Sequence, residues 1–190
     1  MLLHDLTIAA LAALLVYAVI IFNGLVMLKN GVTKAWSNID VLLKQRHDEI
    51  PKLVEVCKAH MQFERDTLER VMLARAGSQA ARSRGDVQAV AQAEGALRGG
   101  VGRIAATVEA YPELKANQSI MQLLARITAL ENAISDRREF YNEFVNNNNI
   151  RVGSFPDVIV ARLFGFRPAV PLEFPPEDLR DVDVRALFRG

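Results

Sequence analysis

From Leu6 to Leu28 the chain reads LTIAALAALLVYAVIIFNGLVML, 23 residues without a charge. As a helix rising 1.5 Å per residue, such a run reaches roughly 34 Å, enough for a hydrocarbon core of about 30 Å. Asn23 and Gly24 are its weak points, and both lie near one end. A cleaved signal peptide is the competing reading. That reading wants a basic start, a shorter apolar core and a small-x-small cleavage site. Here the run follows Met-Leu-Leu-His-Asp and ends in Lys29-Asn30. A retained anchor is the expectation.

The flanks orient it. Lys29, Lys34, Lys44 and Arg46 follow the span, and no Lys or Arg precedes it. Positive residues stay on the cytoplasmic side, so the N-terminus is expected outside and the body inside. Lys plus Arg number 23 against 22 for Asp plus Glu, so no strong field points to nucleic acid. The single cysteine excludes an internal disulfide framework and a four-thiolate zinc site, and it agrees with a reducing compartment.

Beyond the span, apolar residues recur at three and four in three stretches. The first holds Trp36, Ile39, Leu43, Ile50, Leu53, Val54, Cys57, Met61, Leu68, Val71 and Met72. The second runs from Val87 to Tyr111 and the third from Ile120 to Phe144. No stretch alternates as a half-buried strand does. The expected fold is all-α, an N-terminal transmembrane helix continuing into an antiparallel helical bundle with coiled-coil-like packing. Residues 1–28 form the short N-terminus and span, 29–166 the bundle, and 167–190 a proline-marked tail.

The connections carry signals of their own. GSQAARSRGD, residues 77–86, reads as a small polar loop in which Asp86 caps the next helix. Tyr111-Pro112 closes the second helix, because a residue before proline avoids the helical region. Asn117 caps the third, and the asparagines at 146–149 read as its frayed end. Gly95, Gly99, Gly100 and Gly102 weaken the second helix unless they allow close packing. Ser154-Phe155-Pro156 opens a short amphipathic helix through Phe164. The segment EDLRDVDVRALF is either a docking turn or a loose end.

Pro51 poses the sharpest question. Trp36, Leu43, Ile50 and Cys57 lie seven apart, so the stripe keeps its phase through the proline. A reversing turn there would bring glycine or several small polar residues. The spacing predicts one long, kinked helix reaching about Ala76. Its stretch from Lys29 to Glu49 is then left under-packed and open to a partner.

The blocks NGLVMLKNGVTKAWSNIDVLLKQRHDEIPKLVEVC (23–57), ARAG (74–77), AYPELKAN (110–117), LENAISDRREFYNEFV (130–145) and SFPDVIVARLFGF (154–166) closely resemble the LemA family. The match runs in order along nearly the whole chain. The resemblance implies a bacterial membrane protein with one N-terminal span and a helical body, and it implies little chemistry. Two departures stand out: Asn148-Asn149 where the family often has Tyr-Asn, and Leu130 where threonine is common.

Among chemical candidates, His47, Asp48 and Glu49 point about 100° apart on a helix and do not converge on one ion. Only His47 is expected to face inward, bonded to a carboxylate. His60 and Glu64 have the spacing of neighbours on one helix face, but two ligands are not a metal site. Cys57 lies on the apolar stripe and reads as core. No phosphate-binding glycine loop or serine elbow is present. Polar residues on the stripes suggest register-fixing pairs, and Glu94 with Arg137 is the expected one.

The reading is a non-catalytic adaptor or scaffold at the cytoplasmic face of a bacterial inner membrane. Its candidate interaction surface is Trp36, Asp40, Arg46, His47 and Asp48. No cofactor, metal or nucleic acid is expected, and the partners are the lipid bilayer and either another protein or a second copy. The alternative is a membrane-bound sensor or enzyme with a site around Arg46, His47 and Asp48. Trp36 is expected to pack on a later segment.

Overall fold

The computed structural model describes residues 1–60 and 63–173. Six helices and no strand occur among them: α1 (Leu2–Lys58), α2 (Arg65–Arg84), α3 (Val87–Ala110), α4 (Pro112–Lys115), α5 (Gln118–Gly153) and α6 (Asp157–Leu163). Two compact units divide the chain. One is Met1–Asn38 with Arg137–Pro171, and the other contains Ile39–Asp136 and Leu172.

The apolar run and the stripe after it form one helix, with Pro51 inside it. Ile39, Leu43, Ile50, Leu53, Val54 and Cys57 are all buried, so the seven-residue phase survives the proline. The helix nevertheless stops at Lys58 rather than near Ala76. The chain reverses before Arg65, and α2 returns antiparallel. Arg75 Nε donates to the carbonyl of His47 at 2.9 Å and Arg82 Nε to Asp40 Oδ1 at 2.7 Å. Continuing straight would have left two apolar stripes, Ile50–Cys57 and Leu68–Val71, facing water. Reversal presses them into one core with Phe63 at the turn. The turn contains neither glycine nor proline. With α2 alongside residues 40–47, that stretch is not the bare surface the straight helix implied.

The segment read as a loop, residues 77–86, is mostly helix. α2 runs to Arg84, and the reversal takes only Gly85 (φ 68°) and Asp86, whose carboxylate accepts from Ala89 N at 3.0 Å. The small residues serve close approach, since Ser78 and Ala81 are buried. Gly100 repeats the theme on α3: a Cβ there would lie 2.5 Å from Val71 Cγ2. That glycine is a contact point between packed helices, not a hinge.

Tyr111-Pro112 ends α3 as expected, and α4 leads to Asn117. The Asn117 side chain accepts from Ser119 N (3.0 Å) and Ile120 N (3.3 Å), capping α5. α5 then passes straight through Asn146–Asn149 to Gly153, where a frayed end was expected. The asparagines have tertiary employment. Asn149 donates to Ala169 O (2.9 Å) and accepts from Ala169 N (2.8 Å), while Asn148 is buried. Tyr141 donates to Val170 O at 2.8 Å beside them. Bonds of about 1 kcal/mol each offset the poor helix propensity of asparagine.

In the first unit Trp36 is half-buried with its ring 5.5 Å from Tyr141 of α5. Gly31 faces Phe144, whose ring a Cβ would meet at 2.6 Å. Residues 29–36 are thus partly covered too, against expectation. Ile21 and Leu25 pack with Val152 of α5 and Val160 and Ala161 of α6. Phe22 meets Phe164 and Phe166 edge-on, at 4.8 and 5.7 Å. The segment EDLRDVDVRALF lies outside the described residues.

Candidate functional site

Arg46, His47, Asp48 and Glu49 occupy consecutive positions of α1 and diverge as helical geometry demands. Sequence reasoning placed only His47 inward. The structure buries Arg46 and Glu49 as well, and leaves Asp48 exposed. Arg46 sends its guanidinium into an ionic core. Nη2 pairs with Glu94 of α3 and Nη1 donates to Glu131 of α5 at 2.5 Å. Ser78 of α2 donates to the other oxygen of Glu94, and Arg98 approaches Glu131 at 3.6 Å. Four helices meet at this network. The expected Glu94–Arg137 pair does not form: Glu94 is taken by Arg46, and Arg137 is exposed.

Burial lowers the Arg46 pKa and Glu131 opposes the shift. The guanidinium stays charged, since arginine is not deprotonated in proteins. Two carboxylates share one buried cation, with Arg98 outside. The cluster fixes the register of the helices. Glu49, also buried, takes Lys52 at 3.1 Å and Arg126 at 3.4 Å on another side of α1.

His47 faces α2, where a cleft of about 370 Å³ opens. Asp40, Lys44, His47 and Asp48 form its α1 wall, and Arg75, Gln79, Arg82 and Ser83 its α2 wall. Asp40 is held by the Nε of Arg82, whose Nη2 also donates to the Asp40 carbonyl at 3.2 Å. Gln79 lines the cleft with His47, the place where sequence reasoning expected a carboxylate. The His47 pKa falls, first because the ring is desolvated and next because Arg75 lies close; Gln79 and Asp48 oppose. At neutral pH the ring is uncharged, and its Nδ1 is buried without a hydrogen-bond partner. A neutral imidazole, paired charges and exposed Lys44 and Asp48 make a wall suited to polar recognition.

Three of the five sequence candidates, Asp40, His47 and Asp48, share this cleft. Arg46 turns away into the core, and Trp36 stacks in the other unit. The α2 residues were missed. A signal for them existed: Arg75 and Arg82 are seven apart, as are Asp40 and His47, the match expected of two antiparallel helices in heptad register.

The other candidates fall to packing. Cys57 is fully buried and its thiol is pushed up to about 11 by desolvation, which silences it as a nucleophile. His60 and Glu64 do not share a helix face. His60 follows the end of α1 and its Nε2 lies 3.4 Å from Asn117 Nδ2, while Glu64 is the N-cap residue of α2. Among the described residues no three His, Cys, Asp or Glu side chains gather as a metal would need.

The sequence profile of the LemA family matches residues 35–185, most of the chain. The magnetosome proteins MamQ 1 and MamQ 2 of Paramagnetospirillum magneticum are each 29% identical over 85 residues. That segment is 45% of this chain and 31% of each relative, so the chain matches under a third of their length.

Proposed function

The chain belongs to the LemA family, and from that premise we propose that it is a membrane-anchored, non-catalytic adaptor. α1 is long and apolar enough to cross a membrane, and only 11% of its most apolar window is buried within the chain. A soluble core helix would bury that window, so the reading is a single-pass anchor in the bacterial inner membrane. Lys29 and Lys34, just past the apolar run, favour a body on the cytoplasmic side.

The observation that carries the adaptor reading is the state of the charges in the α1–α2 cleft. Asp40 is bound to Arg82, Arg75 is spent on a backbone carbonyl, and His47 is neutral. Nucleophilic or general acid–base chemistry wants a group activated by its neighbours, and the paired groups here are quenched by theirs. What the cleft offers is a shaped, charged rim between two packed helices, a surface for another protein. A sensor or enzyme built on Arg46, His47 and Asp48 would need those three to converge, and they diverge.

Affinity purification of the full chain from membranes tests the reading. Asp48→Arg and Lys44→Glu alter the exposed rim without touching the core. Loss of one defined co-purifying protein in both, with retention in Val41→Ser outside the cleft, is the expected result. A small molecule retained by the wild type in native mass spectrometry and lost in His47→Gln would favour the sensor or enzyme instead.

A further inference from the structure

The outer face of α6 and the residues flanking it are more apolar than a water-facing surface should be. Phe155 is 81% exposed, Ile159 58%, Leu163 77% and Phe164 59%. The inner residues Val160 and Ala161 are already satisfied by Ile21, Leu25 and Val152, and Phe164 sets its ring edge-on to Phe22, so Phe155, Ile159 and Leu163 are surplus to packing. A contiguous patch of this kind on a short helix marks a surface meant to meet something apolar.

Its position says what. Asp5 and Leu6 mark the outer limit of the uncharged run, and α1 is exposed from Leu6 to Ile20 apart from Ala18, which packs in part against the cluster around Ile21. Those fifteen residues span about 22 Å, short of a hydrocarbon core of about 30 Å. The core must therefore extend to about Leu25, where α6 and the end of α5 lie against α1 through Ile21, Phe22 and Leu25. Charge appears at the depth where the core should end. Arg151, paired with Asp157, has its Nη2 3.2 Å from where a Gly24 Cβ would be. Beyond it Lys29 and Arg167 line one cleft, and Arg162 is exposed on α6 itself.

We propose that α6 and Phe155 are an interfacial membrane element: Phe155, Ile159, Leu163 and Phe164 enter the acyl-chain boundary beside the α1 span. Arg162, Arg167 and Lys29 meet the phosphate layer of the same leaflet. The proposal rests on the reading of α1 as a transmembrane anchor and adds a second membrane contact to it. Apolar side chains at the acyl boundary with cations at the headgroups are the arrangement of helices that lie in the interface, and anionic lipid strengthens it. The consequence is a second membrane contact for the unit of Met1–Asn38 with Arg137–Pro171, beside the span itself.

Depth-dependent quenching tests this with the full chain in phosphatidylcholine–phosphatidylglycerol vesicles. The sole tryptophan is removed as Trp36→Phe, and single tryptophans are placed by Ile159→Trp, Leu11→Trp and Val41→Trp. Expected is loss of Ile159→Trp emission to lipids brominated near the glycerol end, and loss of Leu11→Trp emission to lipids brominated deep in the chain. Val41→Trp should keep its emission in both. If Leu11→Trp is quenched while Ile159→Trp behaves as Val41→Trp does, the interfacial element is refuted and the anchor stands. If Leu11→Trp is not quenched, the anchor reading fails and the proposal falls with it. Leu163→Trp, at an equally exposed position, supplies the same reading should Ile159→Trp disturb the fold.

Discussion

The ionic core around Arg46 makes a quantitative demand. In Arg46→Met the buried cation is replaced by an apolar chain of similar length, and two carboxylates lose their partner. They are not equally stranded. Glu131 is 17% exposed and keeps Arg98 at 3.6 Å, whereas Glu94 is 3% exposed and, among the described residues, keeps the Ser78 hydroxyl. A surface-screened contact such as Arg98–Glu131 contributes about 0–1 kcal/mol, so Glu94 dominates the loss. Removing one partner of a buried pair costs about 3–5 kcal/mol. For a chain of this length each kcal/mol lowers the melting midpoint by about 2–4 °C, giving a fall of roughly 6–20 °C in detergent-solubilised protein. Glu94→Gln alone should also destabilise, since Arg46 then relies on Glu131. The double variant Arg46→Met/Glu94→Gln should be more stable than Arg46→Met, because no buried charge is left alone. A thermal or urea double-mutant cycle reads this directly. Single losses that add to within about 0.5 kcal/mol would show the two groups to be energetically independent and refute the network.

Two glycines of α3 should respond with opposite signs. Gly100→Ala gains up to about 1 kcal/mol of helix propensity but drives a methyl into Val71, for a net loss of stability by urea melting, while Gly102→Ala meets nothing within 4 Å and should stabilise. His47 is held neutral, so the folded chain binds fewer protons there than the unfolded chain: its contribution is full above the unfolded value near 6.5 and is lost as pH falls through that value toward the lowered folded pKa. Urea midpoints across that window should fall less in His47→Gln than in the wild type. Cys57, pushed up to about 11 and fully buried, should react with a disulfide reagent at pH 8 only after denaturant is added.

What the sequence shows of the fold depends on whether the cause is local. Asp86 and Asn117 cap helices with their own side chains, and Pro112 excludes helix before it, so all three are legible in a few residues. The reversal between Lys58 and Arg65 is not. It carries no glycine or proline, and its cause is the burial of one stripe against another in the finished structure. Residues 77–84 misled for the converse reason. Their small polar composition is that of a loop, yet Ser78 reaches Glu94 and Ala81 is buried, so the composition serves helix contact. Half of the candidate cleft was visible, because its α1 wall lies on one helix. The wall from α2 required knowing that α2 doubles back.

The asparagines at 148 and 149 show how such a misreading bears on function. Read locally they end a helix, and α5 would then release the chain near residue 146. In the structure the amide of Asn149 closes a two-bond ring on Ala169, and Tyr141, about two turns back on the same side of α5, holds Val170. These bonds keep α5 helical as far as Val152, the residue that packs on Ile21 and Leu25. They also pin the chain after α6, so that segment is tethered at both ends. A helix of seven residues has no independent stability in water. α6 exists where it does because α5 persists to carry it and because Asn149 holds its exit. The polar run that seemed to end the helical body is therefore what sets Phe155, Ile159 and Leu163 beside the apolar N-terminal part of α1.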